Sequence, residues 1–178
     1  VDMSGNRAIV GANGELFFNP LGAAYVFDLD TGSRVVRLVA TPGSGTDDFG
    51  HASAVDGNLA VVGAQLDTNL NGSQAGAAYV FNATTGAQLF KLTASDGAAN
   101  DRFGCAVAIS GNTILVGAFT ANGAAGAAYV FNATTGAELL KLTASDAAAT
   151  DHFGQDLALD GNLAVIGAEL NDDHGTNS

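Results

Sequence analysis

The chain has 178 residues, 47% of them hydrophobic and 13% charged, and a formal net charge of −12. That apolar share can build a sizeable core and excludes wholesale disorder, while the acidic balance, with 15 Asp among 18 acids, excludes a basic footprint for nucleic acid. Twenty-four glycines against two prolines favour short strands joined by tight turns, and no apolar run approaches the roughly 18 residues of a membrane span.

Taken from the start, residues 2–12 align with residues 108–118, so the chain opens in the tail of one strand and continues into a strand ending Val10-Gly11-Ala12. Ala23-Ala24-Tyr25-Val26-Phe27 is the next strand, and one bearing Arg37 follows. The loop 41–48 then leads to Phe49-Gly50, the turn Asp56-Gly57-Asn58, and Val62-Gly63-Ala64. After a polar loop come Ala77-Ala78-Tyr79-Val80-Phe81 and a strand bearing Lys91. The third passage gives Phe103-Gly104, Val116-Gly117-Ala118, Ala127-Ala128-Tyr129-Val130-Phe131 and Lys141, and the fourth gives Phe153-Gly154 and Gly167-Ala168. Three markers therefore recur in order at intervals of about fifty residues, the scale of a four-stranded propeller blade.

The third unit shows the blade most fully: strand A over 103–109, B over 113–118, C over 127–131 and D over 137–143. Gly- and Asn-rich turns join A to B and C to D, which makes an antiparallel meander. Large and small apolar residues alternate in strand A, so both faces are apolar and neighbouring blades must cover them. The cation repeated on strand D, the blade's outer edge, is expected to discourage edge-to-edge pairing. The fold expected is all-β: a partial β-propeller of about three and a half four-stranded antiparallel blades, incomplete at both ends. Its units are a partial blade over 1–40, blades over 41–94 and 95–144, and a partial blade over 145–178, about thirteen strands in one domain. A fragment of a longer chain is expected, cut before a strand B and before a strand C.

The Phe-Gly pair, the Val-Gly-Ala stretch and the Tyr-Val-Phe strand together resemble the FG-GAP repeat family, whose blades also build integrin α-chain propellers. The Lys-Leu-Thr-Ala-Ser-Asp-Gly segment at 91–97, just ahead of a Phe-Gly, resembles the bacterial members. The blade signature is Phe49, Gly50, Phe103, Gly104, Phe153 and Gly154. The resemblance implies a non-enzymatic propeller, secreted or on a bacterial cell surface, that mediates protein interaction, adhesion or assembly. Its partners would be another protein, further copies, or the remaining blades. Two rivals remain: an accessory propeller of a larger secreted enzyme, and a structural subunit of a large complex or filament. The integrin-type calcium loop between strands A and B is too short here to wrap an ion with six to eight oxygens.

Chemistry is sparse. Asp47, Asp101 and Asp151 stand two residues before each Phe-Gly, and Asp96 and Asp146 precede two of them. With the B–C loops, they mark one rim as the interaction face. Asp67-Thr68-Asn69-Leu70-Asn71-Gly72 matches the opening of a calcium loop, with Asp67, Asn69 and Asn71 as ligands, but lacks the later acid. Asp172 and Asp173 hold the matching place in the last unit. No cofactor is required otherwise. Cys105, the sole cysteine, excludes an internal disulfide and a multi-cysteine zinc site. His51, Cys105 and Gln155 share one repeated position, and no nucleophile elbow, zinc-protease motif or phosphate loop is present. Asn82-Ala83-Thr84 and Asn132-Ala133-Thr134 match the glycosylation sequon but read as hairpin turns.

Overall fold

The computed structural model describes residues 1–13, 22–43 and 46–171. Among the described residues, fourteen strands form four antiparallel sheets in chain order. The first holds β1 (Asp2–Ser4), β2 (Arg7–Ala12), β3 (Ala23–Asp28) and β4 (Arg34–Leu38). The second holds β5 (Phe49–Asp56), β6 (Leu59–Ala64), β7 (Ala77–Asn82) and β8 (Gln88–Leu92). The third holds β9 (Val107–Ser110), β10 (Thr113–Ala118), β11 (Ala127–Asn132) and β12 (Glu138–Leu142), with one helical turn, α1 (Ala121–Ala124), between β10 and β11. The fourth has β13 (Phe153–Asp160) and β14 (Leu163–Ala168). This is the partial propeller that the repeat implies.

Every two-residue turn between strands A and B is Gly-Asn, at 5–6, 57–58, 111–112 and 161–162, the chemistry of a tight hairpin. The C–D turns are held by an Asx turn. Asn82 Oδ1 accepts the amides of Thr84 and Thr85, and Asn132 Oδ1 accepts those of Thr134 and Thr135. The sequon residues are thus hairpin chemistry, as their spacing suggested.

The core lies between sheets. Val26, Leu38 and Ala24 of the first blade pack on Phe49, Tyr79 and Phe81 of the second. Ala78, Val80 and Leu92 of the second pack likewise on Phe103, Tyr129 and Phe131 of the third. Phe49 meets Tyr79 and Phe81 edge-on at 5.6 and 5.9 Å, and Phe103 meets Tyr129 and Phe131 at 5.5 and 5.8 Å. Such pairs contribute about 0.5–1.5 kcal/mol each beyond the area they bury. One face of each blade is aromatic and the other small or aliphatic, so successive blades interlock in one direction only.

Glycine makes that approach possible. A Cβ on Gly63 would fall on the carbonyl oxygen of Gly104 in the next blade. Gly104 itself has φ +90°, and its Cβ would fall on the carbonyl of Ala77 in the blade before. The Phe-Gly of one blade thus seats its backbone on the Gly-Ala of its predecessor, and the two markers are the two halves of one joint. The third blade departs from the expected strand A: β9 starts at Val107, and Phe103 lies ahead of it in a parallel bridge to Gly76 of the preceding blade. Asp2–Ser4 pairs with Arg7–Ile9, so the strand-A tail at the start is itself a short strand.

Candidate functional site

The rim carrying the D–A and B–C loops holds most of the acids singled out from sequence, and the structure gives most of them a structural partner. Asp101 Oδ2 accepts the amide of Ala98 at 2.7 Å, and Asp151 Oδ2 accepts that of Ala148 at 2.7 Å. Asp47, Asp101 and Asp151 are all buried. The carbonyls of Asp47 and Asp151 also accept the amides of Leu66 and Leu170, which ties each D–A loop to the following B–C loop. The structure places all three inside the rim. The Asp101 and Asp151 carboxylates, by capping their own loop amides, turn inward and brace the rim from within.

Asp67 sits at the centre of a different arrangement. Both of its carboxylate oxygens accept Lys91 Nζ at 2.9 Å, and Tyr79 donates its hydroxyl to Oδ2 at 2.8 Å. The Asp67 side chain is 3% exposed, and the Lys91 ammonium lies 5.4 Å from the Tyr79 ring centroid. Asn69 donates to Asp67 Oδ1 and to the carbonyl of Gly76, and its own oxygen accepts the Asn71 amide. Asn71 donates to the carbonyl of Ala94. Of the three expected calcium ligands, Asp67 therefore holds an ammonium group while Asn69 and Asn71 bond within and beside the loop, and a metal ion at Asp67 would have to displace Lys91. Asp172 and Asp173 lie outside the described residues. Among the described residues, no cluster of three or more His, Cys, Asp or Glu is placed to hold a metal.

The third blade repeats the arrangement with an acid from elsewhere. Tyr129 donates to Asp96 Oδ1 at 2.9 Å and Lys141 to Asp96 Oδ2 at 2.6 Å, with the ammonium again 5.4 Å from the ring centroid. Asp96 belongs to the D–A loop ahead of that blade. The position matching Asp67 is Ala121 in the third unit, and the position matching Asp96 is Pro42 ahead of the second. Each Tyr–Lys pair thus has one carboxylate, supplied by its own B–C loop or by the preceding D–A loop. The Lys141 hydrogen bond first, and then that of Tyr129, holds the Asp96 carboxyl below its ordinary range. Burial first, and the adjoining carboxylate second, pushes both phenols far above theirs, so each stays a donor. In the first blade Arg37 donates to the Tyr25 hydroxyl at 3.3 Å. The strand-D cations were expected to guard an edge, but Lys91 and Lys141 turn inward to this pair. Sequence reasoning missed the triad, although the repeated Tyr stands directly opposite the repeated cation, as Tyr79 does Lys91 and Tyr129 does Lys141.

Two further clamps recur. Gln88 bonds the amide and carbonyl of Thr41, and Glu138 accepts from the amide and hydroxyl of Ser95, each from the start of strand D to the preceding D–A loop. On the opposite rim, Asp56 accepts the Ser4 hydroxyl and the Gly111 amide, so this A–B turn fastens three blades together. His51 contacts Asp48 and Gln65, while the Cys105 thiol donates to the Gly154 carbonyl. Burial pushes that thiol up to about 11, which leaves it unreactive at neutral pH.

The fourth sheet is unlike the others. Among the described residues, β14 pairs with β13 alone. Leu163 and Val165 are 69% and 61% exposed, whereas Val61 and Leu115, which match Val165, are fully buried. Phe153 is half-buried and has no ring partner like those of Phe49 and Phe103. Asp146, the counterpart of Asp96, is exposed and has no partner among the described residues.

A family model described as FG-GAP repeat matches residues 33–81, 87–131 and 137–178. No curated protein matches the chain. Among solved structures, it is similar to the computationally designed Ika4 protein, with TM-score 0.61 and 23% identity over 94% of this chain and 82% of that one. It is also similar to the computationally designed Ika8 protein, with TM-score 0.58 and 23% identity over 93% of this chain and 41% of that one. At such identity these likenesses speak to the fold alone.

Proposed function

The chain belongs to the FG-GAP repeat family, and from that premise we propose that it is a non-enzymatic propeller segment of an extracellular or cell-surface protein, bacterial in type, that works by binding protein in adhesion or assembly. The observation that carries this reading is the match of three consecutive FG-GAP repeats along the chain, with the antiparallel four-stranded sheets that they build. The rim chemistry supports it too: the polar groups of the second and third blades are spent on joining loops and blades, as in the Asp67 and Asp96 triads. No helix of the described residues is long and apolar enough to cross a membrane. Calcium at the Asp67 loop has no part in this proposal.

Two measurements test the reading. Protease added to intact source cells should cleave the protein, and protection until the cells are lysed would sink the extracellular assignment. Sedimentation velocity of the purified chain across a hundredfold concentration range should show self-association or a complex with a cell-surface protein. A monomer without partners throughout would sink the assembly role.

A further inference from the structure

In the second and third blades, the residue just ahead of Phe-Gly meets the residue that opens the following B–C loop, with different chemistry each time. In the second blade Asp48 Oδ2 accepts Gln65 Nε2 at 2.8 Å, so the two side chains satisfy each other. The third blade has Arg102 and Phe119 at these places. The Arg102 guanidinium lies 5.7 Å from the Phe119 ring centroid, and it has no hydrogen-bond or ion-pair partner among the described residues. His152 meets the same ring edge-on at 5.1 Å, so the platform under the guanidinium is itself held. Beside Arg102 lies a cavity of about 780 Å³, lined also by Asp96, Asn100, Thr120, Asn122 and Lys141. That volume is in the range of small-molecule sites. Of the other charges at the cavity, Lys141 is held by Asp96 at 2.6 Å, and Asp101 caps the Ala98 amide of its own loop. Arg102 is thus the one cation there without a counter-ion.

We propose that this cavity binds a sugar acid, with its carboxylate on Arg102 and its hydroxyls on Asn100, Asn122 and Asp96. A guanidinium offers two parallel N–H groups to a carboxylate, and stacking on a ring fixes the plane of that fork before the ligand arrives. Less side-chain freedom is then lost on binding. Asn100 and Asn122 are exposed, and an amide both donates and accepts, as neighbouring sugar hydroxyls do. One uncompensated cation matches one carboxylate. The net charge of −12 opposes a polyanionic surface, so a ligand with a single acid group among hydroxyls fits better than an acidic protein face. This site goes beyond the protein-binding reading above and does not depend on it.

The probe is D-galacturonate, titrated into the whole chain and followed by the backbone amide resonances. Saturable shifts are expected at Asn100, Arg102, Asn122 and Gly123. Arg102→Gln should weaken binding about tenfold, the scale of a hydrogen bond to a charged group. Asn122→Gly keeps the left-handed backbone of that residue, at φ +55°, and should weaken binding about fivefold, the scale of one neutral hydrogen bond. Arg102 makes no side-chain hydrogen bond within the described residues, so its variant should melt with the wild type; where it does not, Asn122→Gly decides. Absence of saturable shifts, or unchanged affinity in the variants, would overturn the site. Equal binding of glucose would overturn the role of the carboxylate, and equal binding of acetate that of the hydroxyls. Tighter binding of the peptide Gly-Glu-Gly would overturn the sugar assignment in favour of an acidic protein side chain.

Discussion

Lys91 and Lys141 occupy one repeated position and meet the same chemistry by two routes, and the two routes differ in burial. Asp67 is almost fully enclosed, so Lys91→Ala strands a buried carboxylate and should cost about 3 kcal/mol in chemical denaturation. Asp67→Ala instead leaves the buried Tyr79 hydroxyl without its acceptor, at about 1–3 kcal/mol, because the partly exposed Lys91 can turn to water. Asp96 is half-exposed, and its contribution is read through pH. Its native pKa is depressed, so its stabilisation is present above the ordinary carboxylate value of 3.8 and is lost as pH falls through the native value. Wild type should therefore exceed Asp96→Asn in urea midpoint at pH 7, and the gap should close as pH falls through the depressed native value. A gap that persists unchanged in acid would assign the effect to the shape of the loop.

At the scale of the strand, the joint between Phe-Gly and Gly-Ala makes the sharpest comparison. Gly63 and Gly167 are the same repeat position. A Cβ on Gly63 strikes the Gly104 carbonyl, whereas one on Gly167 meets nothing nearer than 3.6 Å, at Asp156. Gly63→Ala should cost about 2–3 kcal/mol by overpacking, and Gly167→Ala should stay within about 0.5 kcal/mol of wild type, both read from denaturation midpoints. The strands themselves were legible because the markers recur in register: β10 occupies the residues that its spacing predicts, and β11 starts at Ala127 as its Ala-Ala-Tyr-Val-Phe run does. The Asp67 triad was not legible, because its acid breaks the repeat. Asp67 has Ala121 as its counterpart, so a reading by register sees an isolated loop acid beside two asparagines. Its cation stands 24 residues on, and only the hairpin brings them together. The burial of the rim acids was not legible for a related reason: spacing places an Asp on a loop but does not say which way its side chain turns.

For the molecule as a whole, stability should be graded along the chain. The second blade is covered on both faces, whereas the fourth sheet has, among the described residues, two strands and partly exposed apolar side chains. Native-state hydrogen exchange should show the strongest protection in β6, β7, β10 and β11 and the fastest exchange in β14. Uniform protection would mean that the chain opens only as one unit. The two sources of the triad's acid bear also on how such a protein can grow. A blade that carries its own acid, as the second does with Asp67, can be copied into a new neighbourhood without losing its Tyr–Lys lock. The third, which borrows Asp96 from the loop before it, must travel with that loop. The heritable module in this array is therefore offset from the blade by one connecting loop, and duplications that respect the offset keep every lock intact.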